Sequence, residues 1–234
     1  MKLYGVIARR LLVNYRLDPT VAESLLPEGL HVQQHRGYAV AGICIIQLEK
    51  MRPLWVPEAL GTSSFNAAHR IAVVLPNGEP GVYVPRRETN STLARHFGSR
   101  FVGGDYGRAQ FQSRTGVGTW SIEIDGGDLH VNVVGAESPV LSPGSIFKTV
   151  DEASSFFQRG GRGFSPDASG ALREVELAVD DWHVDPFEAR VHASSFFDSL
   201  PKGTVEYDHA LLMRGARHSW NTGRDCASAR ASLH

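Results

Sequence analysis

The sequence predicts a β-rich α+β chain, and three observations carry that reading. Apolar residues recur at every second position along most of the 234 residues. Gly- and Pro-containing turns break these runs at short intervals. Helical patterns are confined to three short stretches, each with its own start or stop signal. With 42% hydrophobic residues, the chain is able to bury a sizeable core.

Taken in order, "LLVNYRL" (11–17) puts Leu11, Val13, Tyr15 and Leu17 on one face of a strand and Leu12, Asn14 and Arg16 on the other. "DPTVAESLLPEG" predicts a short helix, capped by Asp18, opened by Pro19 and ended by Pro27 and Gly29. "GYAVAGICIIQLEKM" (37–51) is nearly continuous apolar, as in a strand covered on both faces. "HRIAVVL" and "GVYVP" flank the turn "PNGEP" as a hairpin. If 82–87 is extended, Tyr83 and Arg87 share one face while Val84 and Arg86 share the other. Asn90 or Ser91 then caps a helix that Gly98 stops. "TWSIEI-DGGD-LHVNVV" (119–134) is the clearest hairpin, with Trp120, Ile122 and Ile124 matched by Leu129, Val131 and Val133 across the glycines. "TVDEASSFFQRGGRG" (149–163) predicts a capped helix ended by glycine. Further strands are expected at 172–180, 189–197 and 204–213, the last carrying His209 on a face with Val205, Tyr207 and Leu211. The total is nine or ten strands and three short helices. Residues 221–234 lack apolar periodicity and are expected to form a flexible tail.

Composition narrows the function classes. A formal charge of −1 and a pI of about 6.8 argue against nucleic acid or an anionic membrane as the main partner. The longest apolar stretch, residues 38–46, is well short of the ~20 residues that span a bilayer. Arg9 and Arg10 interrupt the apolar N-terminal stretch, so a secretory signal is not expected. Two cysteines, Cys44 in an apolar strand and Cys226 in the polar tail, imply no disulfide framework and a reducing, cytoplasmic setting. Ten histidines occur without an HExxH or CxxC motif, and His31 and His35 have the spacing of helical ligands but lie after a helix stop and before a strand, so no metal site is predicted. A GxSxG elbow is absent from the sequence, and "RTGVGTW" lacks the third glycine and following helix of a dinucleotide fingerprint. "QRGGRG" is a single glycine-rich copy without aromatic interleaving and reads as a loop.

Polar chemistry concentrates at "GVYVPRRETNSTLARHFGSR" (81–100). Two readings stay open here: Glu88 clamps an arginine at a strand–helix corner, or the corner contributes to a substrate site. Arg16 on its apolar strand needs an anionic partner, either a protein carboxylate or a ligand, because an unpaired buried guanidinium costs several kcal/mol. His69 and His209 fall on strand faces, where histidine serves as a hydrogen-bonded core residue or as an acid–base group.

Several stretches together resemble the acetoacetate decarboxylase-like superfamily, in its uncharacterised, DUF2071-like branch. These are "VNYRLDPTVAESLLPEGL", "PGVYVPRRETNSTLARHFGSRF", "SSFFQRGGRGFSP", "VDDWHVDPFEARV" and "HASSFFDSLPKGTVEYDHALLMRGARHSW", which lie within residues 6–220. The resemblance implies a single domain over 1–220, an antiparallel sheet closed into a cone-like barrel with a few flanking short helices, an interior site and homo-oligomers. It also implies, for the true decarboxylases, a Schiff-base lysine in a Lys-Lys pair a few residues after a Gly-Arg-Glu corner. Here Ala94-Arg95 stand where that pair would fall, and the family's site glutamate has only Glu58 or Ser64 as nearest matches. Arginine forms no imine, so classical decarboxylation is disfavoured.

The expected function is therefore cofactor-independent proton-transfer chemistry on a small keto-acid or polyketide-like metabolite, of lyase, dehydratase, isomerase or cyclase type. A non-catalytic small-molecule binder is the alternative. Arg87, Glu88 and His69 are the expected catalytic residues; Arg16, Tyr83, Asn90 and His209 are the expected substrate contacts. No metal, cofactor, nucleic acid or membrane partner is expected.

Overall fold

The computed structural model of the chain describes residues 2–92, 106–126, 129–167 and 170–225. The chain begins with β1 (Lys2–Leu17), α1 (Pro19–Ser24) and the short β2 (His31–Val32) and β3 (Gln34–His35). β4 (Tyr38–Arg52), β5 (Thr62–Val74) and β6 (Pro80–Thr89) follow. Next come β7 (Tyr106–Arg108), β8 (Gln110–Thr115), β9 (Thr119–Gly126) and β10 (Leu129–Glu137). The last third holds α2 (Val150–Arg159), β11 (Arg162–Pro166), β12 (Leu172–Val179), β13 (Asp185–Ser194), α3 (Ser195–Asp198) and β14 (Val205–Asp225).

Both of the longer helices start where their side chains dictate. Asp18 accepts from the Thr20 and Val21 amides, and Thr149 accepts from Glu152. Gly160 follows the last residue of α2. The helix expected after Asn90 lies outside the described residues. β14 runs on to Asp225, beyond the point where apolar periodicity ends. No helix among the described residues is long and apolar enough to cross a membrane.

The sheet closes on itself. Strands run in the order β1-β4-β5-β6-β11-β12-β14, and β14 pairs with β1 along nearly its whole length to complete a ring. From the far edge of β14, the strands β13-β10-β9-β8 continue as a wing. Pairing is antiparallel except for β6 with β11 and with β7, which are parallel.

This topology gives two cores. Between ring and wing, Leu11, Val13, Ile43, Ile45 and Ile71 pack against Trp120, Ile122, Val131, Val133 and Phe187. Inside the ring, Leu12, Val40, Ile46, Ala72, Leu211 and Met213 pack against Phe147 and against Ala153, Phe156 and Phe157 of α2. Exposure on β12 distinguishes the inner face: Val175, paired with Gly163, is 1% exposed, whereas the outward Glu176 is exposed. α2 is tied down by Glu152, which meets Arg36 at 2.9 Å and the Lys148 amide at 2.7 Å.

Two register shifts govern which side chains enter the ring. Between β5 and β6, Ile71 faces Tyr83 and His69 faces Arg86, so three steps of β6 oppose two of β5. Between β1 and β14, Tyr15 faces Tyr207 and Asn14 faces His209, which makes Asp208 the extra residue.

Candidate functional site

The inner face carries a polar row across four neighbouring strands. Cross-strand partners are His209 on β14, Asn14 on β1, Gly42 on β4 and Arg70 on β5. Arg70 reaches over Gly42 and donates from Nη2 to Asn14 Oδ1 at 2.5 Å. Glycine is needed at 42 because a Cβ there would lie 2.4 Å from Val13 O and 3.1 Å from Asn14 Oδ1. Asn14 Nδ2 lies 3.0 Å from His209 Nε2, and His209 Nδ1 lies 2.6 Å from Asp208 Oδ2. Ser145 Oγ and the Ile146 amide also donate to Asp208, at 2.6 and 2.9 Å.

These contacts fix the protonation pattern. Burial pushes the Asp208 carboxyl up, but hydrogen bonds from His209, Ser145 and Ile146 outweigh it and hold the group below its ordinary range. An ionised carboxylate only accepts, so His209 carries its proton on Nδ1, and Nε2 accepts from Asn14. Burial lowers the His209 pKa, against the pull of Asp208.

One row further along the ring sit Leu12, Cys44, Ala68 and Arg87. Arg87 is buried, donates to Ser165 Oγ at 2.6 Å and lies over the Tyr106 ring. Arg10 donates from Nε to Cys44 Sγ at 3.3 Å and stacks on Trp182. Arg70 stacks on Phe157, 4.7 Å from the ring centre. Burial lowers the Arg70 pKa to about 10, opposed by Cys44 and reinforced by Arg10, so it stays charged at neutral pH. Among the described residues no carboxylate pairs with Arg10 or Arg70, and Arg10 Nη1 and Arg70 Nε have no hydrogen-bond partner. His218, buried and without a side-chain hydrogen bond, is lowered to about 4 by burial and then by Arg10.

The predicted site residues divide between the two faces of the sheet. Arg87 and His209 face the ring interior. Arg16 points the same way but stands at the rim, where it donates to Glu206 at 3.0 Å and to Gly144 O at 2.8 Å. Its anionic partners are thus protein carboxylates, with Asp208 at 3.7 Å completing them.

Glu88, His69 and Tyr83 lie on the outer face, separated from Arg87 by the sheet, because the extra residue of β6 reverses the alternation. Arg86, not Arg87, shares their side and is the ion-pair partner of Glu88. Burial raises the Glu88 pKa and Arg86 opposes the rise. His69 packs against Phe196, and burial followed by Arg86 lowers its pKa to about 4. Asn90 is exposed and accepts from the Phe65 amide at 2.9 Å rather than contributing to either group. The expected grouping of Arg87 with Glu88 and His69 is therefore corrected. Ala94-Arg95 lie outside the described residues.

Sequence reading missed Arg10, Arg70, Asn14 and Asp208. For the first three a signal exists: each is a polar side chain on the inward face of an otherwise apolar strand, as Arg16 is. It also missed a surface group of Glu123, Asp125 and His130, whose ligand atoms lie within 4.8 Å of one another. His130 already pairs with Asp125 there at 2.6 Å.

All four lysines, Lys2, Lys50, Lys148 and Lys202, are exposed, and Lys50 is paired with Glu58. None has the desolvated position that lowers an amine's pKa for imine chemistry. A cavity of about 10 Å³ adjoins Arg70, lined by Val82, Phe156, Phe157 and Gly160, which is room for one water. A more open pocket of about 340 Å³ lies at Tyr15, Tyr207, Asp198 and Val191.

A ring of strands backed by a wing, with polar groups inside, is the acetoacetate decarboxylase-like fold. The chain aligns over 96% of its length with 86% of an acetoacetate decarboxylase from Legionella pneumophila subsp. pneumophila str. Philadelphia 1, at TM-score 0.68 and 11% identity. It aligns over 97% of its length with 91% of the enduracididine biosynthesis enzyme MppR complexed with pyruvate, at TM-score 0.59 and 14% identity. An acetoacetate decarboxylase-like enzyme from Sphingomonas wittichii RW1 aligns with 93% of this chain over 89% of its own, at TM-score 0.57 and 18% identity. The family profile DUF2071, an uncharacterized conserved protein, matches residues 7–211, and the chain belongs to that family. A search of curated proteins finds no match.

Proposed function

We propose that this chain is an enzyme acting on a small carboxylate, of keto-acid type, by proton transfer inside the ring. The observation that carries this reading is the pair Arg10 and Arg70, buried and charged without a carboxylate partner among the described residues. A guanidinium in that position is costly unless an anion joins it. Its planar fork binds a carboxylate in two-point fashion and stabilises an enolate that develops next to it. Arg70 and Arg10 hold the substrate carboxylate, and Arg87 flanks the developing enolate oxygen. His218, neutral at pH 7 and next to Arg10, accepts the substrate proton. The pyruvate complex of MppR supports a substrate of this size and charge on the shared fold.

The narrow cavity beside Arg70 means that α2 must shift its Phe156 and Phe157 rings outward to admit a substrate. That same closure favours a second reading, in which the ring retains a small acid without converting it. Native mass spectrometry and NMR turnover assays with pyruvate and acetoacetate separate the two. Conversion supports catalysis; a retained, unchanged acid supports binding alone. Arg70→Met is expected to weaken carboxylate binding at least about a hundredfold, a charged two-point contact contributing about 3 kcal/mol. Equal affinity in wild type and variant would remove both readings.

A further inference from the structure

We propose that Asp208, His209 and Asn14 act as positioning residues, a single oriented chain that holds Arg70 in place while leaving its charge for a substrate carboxylate. This rests on the carboxylate reading above and names the residues that make the arginine selective.

Each link of the chain has only one workable polarity. Asp208 accepts from His209 Nδ1, which leaves His209 Nε2 as an acceptor. Only the amide nitrogen of Asn14 is able to donate to it, at 3.0 Å, and that nitrogen also donates to Leu12 O at 3.2 Å. The amide is thereby oriented with Oδ1 toward β5, where Arg70 Nη2 donates to it. Turned the other way, Asn14 would set its NH2 against a guanidinium that has no acceptor and its oxygen against the bare Nε2. The anchor of the chain is well built: Asp208 takes three further contacts, from Ser145, Ile146 and the rim arginine Arg16.

The choice of asparagine at position 14 is the decisive feature. An aspartate there would hold Arg70 as firmly, but as an ion pair, and would cancel the charge that a substrate needs. A neutral amide oxygen orients the guanidinium without neutralising it. The negative charge of the chain is kept two residues back, on Asp208, where Ser145, Ile146 and His209 already share it. The unpartnered Arg70 Nε and the Phe157 ring against its guanidinium complete a setting in which the cation is fixed but not satisfied.

The 234-residue chain tests this in two ways. Long-range 1H–15N spectra of wild-type His209 are expected to show the Nδ1–H tautomer, with a bare Nε2; an Nε2–H tautomer overturns the chain. Pyruvate titrations by calorimetry then compare wild type with Asn14→Asp, Asp208→Asn and Arg70→Met. Asn14→Asp is expected to weaken pyruvate binding at least about tenfold, because its carboxylate pairs with Arg70. Asp208→Asn is expected to weaken it about threefold to tenfold, with loss of the single-tautomer signature. If a folded Asn14→Asp binds pyruvate like wild type, the positioning role is overturned, while loss of binding in Arg70→Met alone keeps the carboxylate reading standing. Absence of pyruvate and acetoacetate binding to wild type overturns the carboxylate reading, and this inference with it.

Discussion

The two faces of one sheet handle buried charge in opposite ways. On the outer face, under the wing, Glu88 is fully buried but meets Arg86, and the adjacent His69 is neutral at physiological pH. Inside the ring, Arg10 and Arg70 are buried to a similar degree and face a cysteine, an asparagine and aromatic rings. The outer cluster pairs its carboxylate with Arg86, whereas among the described residues Arg10 and Arg70 meet no carboxylate. A buried cluster that cancels its own charge is understood as part of the packing, whereas one that does not cancel is where a ligand belongs.

The sharpest way to break this comparison is to remove one charge from each face. Arg70→Met removes a cation that meets no carboxylate among the described residues, and stability is expected to change little while carboxylate binding weakens at least about a hundredfold. Glu88→Ala removes the anion from a charge-balanced pair, whose second oxygen Oε2 is itself without a hydrogen-bond partner, and leaves Arg86 and the emptied volume behind. Chemical unfolding is expected to report a loss of about 2 kcal/mol, kept modest because Arg86 is 36% exposed. Carboxylate affinity in that variant should stay within about twofold of wild type. A Glu88→Ala variant that folds normally but no longer binds carboxylate would erase the distinction between the two faces.

Acid sharpens the comparison further. His69 has a folded pKa of about 4 against an ordinary value near 6.5, because burial and Arg86 disfavour its protonation. Between these values the unfolded chain binds more protons than the folded one, so stability falls as pH drops from about 6.5 towards 4 and levels off below. A shift of that size corresponds to at most about 3 kcal/mol. His69→Phe is expected to lessen the slope of this part of the stability profile, measured as urea midpoints at pH 7 and 4.5, and to leave the share of His218, whose pKa is lowered alike. An unchanged slope would show that His69 is not held neutral, with His218 in the ring carrying the acid dependence without it.

The same comparison shows what the sequence made legible. Alternation along β1 placed Leu12, Asn14 and Arg16 together, and that face does turn into the ring. The caps of α1 and α2 and the β9–β10 hairpin were readable because their causes are local: a side chain two or three residues from the amide it satisfies, a glycine at a turn. Alternation failed at the two bulges. One extra residue in β6 put Tyr83 with Arg86 instead of Arg87, and one in β14 separated His209 from Tyr207 and Val205. The bulge of β14 has no marker in its own strand, whereas that of β6 contains Pro85, whose missing amide proton suits a break in the ladder. The pairing of β1 with β14, which closes the ring, joins residues about two hundred positions apart and has no local trace. The Arg70–Asn14–His209 row depends on that closure and was invisible without it.

Arg16 marks the boundary between the two behaviours, and its variant should give the smallest effect. It starts on the inward face yet ends at the rim, 26% exposed, shared between Glu206 and Gly144 O. Glu206 is itself 59% exposed, so water screens the pair and its contribution is about 0–1 kcal/mol. Arg16→Ala is therefore expected to shift the melting temperature only slightly and to leave pyruvate affinity within about twofold, as calorimetry would show. The residue has the chemistry of a substrate contact and lacks the one property that Arg70 has, a buried positive charge that no carboxylate claims among the described residues. A loss of binding in Arg16→Ala comparable to that in Arg70→Met would move the site from the ring interior to its rim, and would make Asp208 a partner of the ligand-binding cation there rather than the anchor of a chain that ends at Arg70.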